Sequence, residues 1–297
     1  MSGNRISRTG LAAGCATALT LGLVSPATAA VVAEPVKDLA DGATADISVL
    51  GSSGAGAFDD SAAEIVAFHA DSKRILTVNA LSGKIDVLDA ADPSTPTKVG
   101  EVSGGENTTI NSVAVRADGL AVATVEPENK TDAGELIFFD AGADTPGTVL
   151  GRVGVGALPD MVTITPEGDY ALVANEGEPA EDYSVDPEGS VAVVKLPDAL
   201  KAATQADVRT ADFTAFEGTL ADKGVHIYGQ VGASTTEAQN LEPEYIAVSG
   251  GKAYVTLQEN NAVAVVDIAT ATVEDVWPLG YTDRREVPMD ISDKDDK

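Results

Sequence analysis

From residue 65 onward, apolar and polar positions alternate in short runs and do not recur every three or four residues. Strict alternation sends successive side chains to opposite faces, so each run predicts a strand. The runs come in sets. A first strand at 65–68, 113–115, 162–164 and 246–248 is followed by a polar turn at Asp71-Ser72, Asp118-Gly119, Glu167-Gly168 and Gly250-Gly251. A second strand is predicted at 75–78, 121–124, 171–174 and 254–257, and a third at 85–88, 136–139, 191–194 and 263–266. Three of the third strands run into an acid: Asp89, Asp140 and Asp267. Mixed, edge-like strands at 98–102, 148–153 and 272–276 add a fourth member to three sets.

The spacing between sets decides the fold class. From Val66 to Val113, Val162 and Ile246 the steps are 47, 49 and 84 residues. Blades of a β-propeller repeat at about 40–50 residues, and a parallel α/β sheet would need long amphipathic helices between its strands. The expected fold is therefore all-β: an incomplete β-propeller of about four four-stranded antiparallel blades, occupying residues 30–297. The long third step predicts an insertion near 197–240, with a short helix inside 198–208. A β-sandwich also uses short strands and stays open as the alternative. The final run, with Asp290, Asp293, Asp295 and Asp296, lacks the glycine and distal glutamate of an EF-hand and reads as a solvated tail, a loop cut short.

The amino-terminal segment has a different pattern. Arg5 and Arg8 precede an apolar stretch over 11–24, and Ala27-Thr28-Ala29 precedes polar chain, with no acid in the first 30 residues. This predicts a signal peptide over 1–29, cleaved on export. Its apolar stretch falls short of the roughly 20 residues that span a bilayer, so a secreted, extracellular or cell-surface protein with no transmembrane segment after processing is expected. The sole cysteine, Cys15, leaves with the leader, which excludes thiol catalysis.

Charge narrows the partners. Lys plus Arg number 19 against 47 Asp plus Glu, a net charge of −28. Phosphate backbones would be repelled, so nucleic acid is excluded and an extracellular ligand, a cation or a basic surface is the expected partner. Aromatic residues make up 4% of the chain, which disfavours a sugar platform, and the single Trp277 is expected to pack between blades.

The stretch 254–267, Tyr-Val-Thr-Leu-Gln-Glu-Asn-Asn-Ala-Val-Ala-Val-Val-Asp, resembles the YVTN-type surface-layer propeller repeat. Ala63-Glu64-Ile65-Val66-Ala67, Asn175-Glu176-Gly177-Glu178-Pro179, Asp186-Pro187-Glu188-Gly189-Ser190-Val191 and Leu241-Glu242-Pro243-Glu244-Tyr245-Ile246-Ala247-Val248 resemble, in order, the choice-of-anchor I family. That family is similar in its propeller to mesenchyme-specific cell-surface glycoproteins. The resemblance implies a secreted or cell-surface binding or structural module. Some relatives carry an alkaline-phosphatase label, which implies a rival reading, a metal-dependent extracellular phosphoesterase. No catalytic residue is carried over.

Propeller geometry predicts where acids gather. Residues just before the first strand and just after the second of each blade should share one rim. Glu64, Asn111, Asp160 and Glu244 form the first column, and Glu126, Glu176 and Glu259, with Ala80 in the first blade, form the second. Six carboxylates and an amide are hard oxygen donors, suited to Ca²⁺ or another divalent cation. The longest rim loop, 176–189, adds Glu178, Glu181, Asp182, Asp186 and Glu188 as a binding loop. The same acids also read as the solvated loops of a very acidic chain. His69 and His226 lie in no zinc motif; His69 is expected at the surface, and His226 is a candidate base. Gly51-Ser52-Ser53-Gly54-Ala55-Gly56 lacks the lysine of a phosphate loop, and no G-x-S-x-G elbow is present.

Overall fold

The alternating runs fold into sixteen strands in the computed structural model, which describes residues 42–45, 47–54, 62–228 and 235–289. The leader, residues 55–61, the 229–234 stretch and the acidic tail lie outside the described residues. Blade 1 comprises β1 (Val66–His69), β2 (Arg74–Asn79), β3 (Lys84–Asp89) and β4 (Thr97–Val102). Blade 2 comprises β5 (Thr108–Val115), β6 (Leu120–Pro127), β7 (Ala133–Asp140) and β8 (Val149–Ala157). Blade 3 comprises β9 (Pro159–Ile164), β10 (Tyr170–Asn175), β11 (Ser190–Lys195) and β12 (Val208–Ala211). Blade 4 comprises β13 (Pro243–Ser249), β14 (Lys252–Leu257), β15 (Ala262–Asp267) and β16 (Thr272–Pro278). Each blade is a four-stranded antiparallel meander, the architecture that the repeats predict.

Three apolar layers join the blades in sequence. Leu76, Val78, Ile85 and Val87 of blade 1 meet Ile110, Ala123, Val125 and Phe139 of blade 2. Leu120, Val122, Leu136 and Phe138 meet Val162, Val173, Ala192 and Val194 of blade 3, whose other face (Leu172, Val191, Val193) meets Val255, Leu257 and Ala264 of blade 4. Blades 2 and 3 are thus covered on both faces. That is why Leu120–Val125 and Ala171–Ala174 are buried without a break, whereas β2 and β14 bury alternate residues.

The acid closing the third strand has a local cause. Asp89, Asp140 and Asp267 each accept a backbone N–H from the following turn: Ala91 at 2.9 Å, Gly142 at 2.7 Å and Thr270 at 2.7 Å. They cap turns and stand away from the rim site. Lys252, beside Asp267 at 2.8 Å, and the Thr270 contacts hold that carboxyl down at about 2.

Three expectations are corrected and one is narrowed. Of the stretch read as an insertion, 208–211 is β12, the fourth strand of blade 3, and 212–242 runs from it to β13; 198–208 holds only a 3₁₀ turn at Gln205–Asp207 in place of a helix. One helical turn, α1 (Leu220–Lys223), follows; the Glu237 carboxylate caps it through the Thr219 and Leu220 N–H groups. His69 is 6% exposed. Its Nε2 lies 3.2 Å from the Ala117 carbonyl and its Nδ1 2.7 Å from the Ser72 hydroxyl, so it tethers blade 1 to blade 2. Trp277 is 46% exposed and leans on Tyr254 of its own blade, 5.9 Å between ring centres, not into a neighbour.

Candidate functional site

The rim residues are aimed by β-bulges. In blade 2, Asn111 and Ser112 together oppose Thr124; in blade 4, Glu244 and Tyr245 together oppose Thr256; in blade 3, Asp160 is the extra residue between the pairs Met161–Ala174 and Pro159–Asn175. An extra residue turns the strand and leaves an N–H outside the ladder. Threonine hydroxyls take two of these: Ser112 N–H donates to Thr124 Oγ1 at 2.9 Å, and Tyr245 N–H to Thr256 Oγ1 at 3.0 Å. The bulge in blade 2 is further tied to blade 3, because Asn111 Nδ2 donates to Glu126 Oε2 at 3.0 Å and reaches the Pro159 carbonyl at 3.4 Å.

Acids from all four blades feel one another at this rim. Burial raises the Asp160 carboxyl, and the charges of Glu126, Glu64 and Glu178 raise it further. Burial pushes Glu176 up to about 8, with help from Glu178, Asp160, Glu244 and Glu242. Glu244 is raised by burial and by Glu259, Asp160 and Glu242. The two columns therefore face a common space, with one correction. The pairings Val113–Ala123, Val162–Val173 and Ile246–Val255 make Gln258, not Glu259, the counterpart of Glu126 and Glu176. Glu259 sits one residue further along the turn, where its charge still acts on Glu244 and Glu242.

The 176–189 loop divides its acids. Gly189 lies so close to blade 4 that a Cβ there would fall 1.9 Å from the Leu241 carbonyl oxygen, and Gly177, at φ +73°, would clash with Glu188 backbone at 2.9 Å. These approaches pin both loop ends and leave the middle to arch over the rim. Glu178 pairs with Lys130, whose ammonium is held more firmly protonated by that contact. Asp182 accepts the Ser184 N–H at 3.0 Å and serves the loop's own turn. Asp186 is raised by burial, and Glu188 is exposed.

Between this loop and blade 4 lies a cleft of about 470 Å³, walled by Lys130, Glu178, Glu181, Tyr183, His226, Tyr228, Glu242 and Glu259. Several of these were not singled out in the sequence. Glu242 accepts the Tyr228 hydroxyl, and burial raises its carboxyl. The signal available was strand period: Glu242 stands two residues before Glu244, on the same side of an extended chain. Asn260 is fully buried beneath the cleft; its Nδ2 donates to the His226 carbonyl at 2.9 Å and the Asn240 carbonyl at 2.6 Å. Among the described residues, no three His, Cys, Asp or Glu side chains are close enough together to form a ready ligand set for a metal ion. No described helix is long and apolar enough to cross a membrane.

Comparison with known proteins places the chain. No curated protein matches the sequence. Among solved structures, a functionally unknown protein from Desulfotomaculum acetoxidans aligns at TM-score 0.50 and 13% identity, over 78% of this chain and 60% of that one. A protein from Lactobacillus plantarum aligns at TM-score 0.50 and 14% identity, with the same coverage. The β-propeller domain of Myceliophteria thermophila Cps50 (Swd1) aligns at TM-score 0.47 and 9% identity, over 75% of this chain and 57% of that one. The chain thus spans about three fifths of the length of these structures, and at such identities the likeness concerns fold alone. The family model of the choice-of-anchor I domain matches residues 64–297, through all four blades, and the chain therefore belongs to the choice-of-anchor I domain family.

Proposed function

We propose that this β-propeller is a secreted or cell-surface binding module whose acidic rim holds a divalent cation, Ca²⁺ foremost, and through it an extracellular ligand or basic surface. One observation carries the reading: carboxyls of four blades, Glu64, Glu126, Asp160, Glu176 and Glu244, share one space, and the proton affinities of Asp160, Glu176 and Glu244 are raised there. Such crowding is relieved by a positive charge. Because no ligand set stands ready-made, the ion draws the carboxylates together as it binds and displaces the proton that Glu176 holds near neutral pH. The family's name supports surface association, and the leader read from the sequence supports export.

Calorimetric titration with CaCl₂ at pH 7 in buffers of different ionisation heat tests this. Binding with net proton release is expected, together with a melting temperature raised by about 5–10 °C once calcium exceeds its dissociation constant a hundredfold. Glu176→Gln removes the proton release. A melting temperature indifferent to Ca²⁺, Mg²⁺ and Mn²⁺ would end the cation reading. Hydrolysis of an aryl phosphate, lost on chelation, would replace the module with a metal-dependent phosphoesterase.

A further inference from the structure

The cleft beside the rim asks for a different kind of ligand. Its volume of about 470 Å³ lies within the range of small-ligand pockets. Its least exposed polar group is Glu242, at 6%. One carboxylate oxygen, Oε1, accepts the Tyr228 hydroxyl. A carboxylate so far removed from water calls for more donors or a counter-charge.

Among the described residues, the rest of the wall is richer in acceptors than in free donors. His226 Nδ1 lies 3.0 Å from the Glu259 carbonyl, which can only accept, so Nδ1 is a proton-bearing donor spent inside the protein. Tyr228 gives its proton to Glu242. Glu181 and Glu259 contribute further acceptors, while the ammonium of Lys130 is engaged by Glu178. Tyr183, 75% exposed, and Tyr228 add ring faces to the walls.

We propose that this cleft binds a donor-rich organic cation, a guanidinium or primary ammonium group, with Glu242 at its floor and the two tyrosine rings at its sides. Four carboxylates face one ammonium there, so an anion meets net repulsion. A bare Ca²⁺ takes only oxygen ligands and makes no use of the tyrosine rings on the walls. An organic cation spreads its charge and hydrogens over several ångströms and gains from aromatic faces. The proposal rests on the binding role given above to this rim, but not on calcium.

Calorimetry on the whole chain with arginine amide, spermidine and a short arginine-containing peptide, run beside CaCl₂, separates the two. At least one amine is expected to bind. Glu242→Gln should weaken it about tenfold, the scale of one charged hydrogen bond. Tyr183→Ala, on an exposed side chain that the fold does not need, should weaken it about threefold and keeps the test alive if Glu242→Gln misfolds. Glu176→Gln should weaken calcium binding more than amine binding. A response to the peptide and arginine amide alone identifies a polypeptide side chain; a response to spermidine alone identifies a free polyamine. Absence of binding by all three overturns the proposal. So does binding that both cleft variants leave unchanged and that about 0.5 M NaCl abolishes, which is attraction by net charge only.

Discussion

Glu176 shows how a single side chain can be stable and unsatisfied at once. Its carboxyl is covered by the loop it begins and surrounded by acids, so its proton affinity rises from 4.5 to about 8. Between those values the folded chain keeps a proton that the unfolded chain has released, and folding is opposed. The contribution of Glu176 is therefore most favourable below about pH 4.5 and is lost as the pH climbs through 8. Partial access to water reduces the cost to about 1–2 kcal/mol. Glu176→Gln is expected to stabilise the chain by that amount at pH 8 and to change nothing at pH 4, measured by paired denaturant titrations. Parallel curves across this range would show that Glu176 holds no proton. Residues of this kind were partly legible: spacing placed Glu176, Asp160 and Glu244 together, whereas Glu242 and Asn260 owe their roles to burial, which spacing does not report.

At the scale of elements, the bulged inner strands are what turn a repeated hairpin into a rim of outward acids. Thr124 and Thr256 serve the same bond in blades 2 and 4, but Thr124 is fully buried while Thr256 is exposed. Thr124→Val leaves the Ser112 N–H without a partner and without water, so a loss of about 1–3 kcal/mol is expected. Thr256→Val lets water replace the hydroxyl and should cost under about 1 kcal/mol. Equal losses in thermal melts would mean that the bulges, not the hydroxyls, set the stability. The strands themselves were readable, because alternation is a local signal. The bulges were not, since one extra residue leaves the apolar rhythm nearly intact. The place of Gln258 was hidden by turn length: blade 4 turns on Gly250-Gly251 alone, between the pair Ser249–Lys252, whereas four residues separate the pair His69–Arg74 in blade 1. The fourth strand of blade 3, only Val208–Ala211, was too short and too polar to stand out from its surroundings.

For the whole molecule the question is how 47 acids coexist with 19 cations. Many of the cations are already committed: Lys84 and Lys98 to Glu101, Arg116 to Asp118, Arg152 to Glu135, and Lys252 to both Asp267 and Glu274. Exposed pairs of this kind contribute little, about 0–1 kcal/mol each, so the unpaired excess of negative charge governs the response to salt. Raising NaCl from about 0.05 to 0.5 M shortens the screening length from above roughly 10 Å to about 4 Å. Repulsion between blades that share a rim should fade, and the melting temperature should rise by about 3–6 °C, equivalent to roughly 1–2 kcal/mol for a chain of this size. A fall in melting temperature would mean that the surface pairs outweigh the repulsion. Screening and site binding then separate cleanly, because screening saturates: a few millimolar CaCl₂ added in the high salt should raise the melting temperature again only if the rim acids bind the ion itself, and Glu176→Gln should diminish that second rise while leaving the first intact.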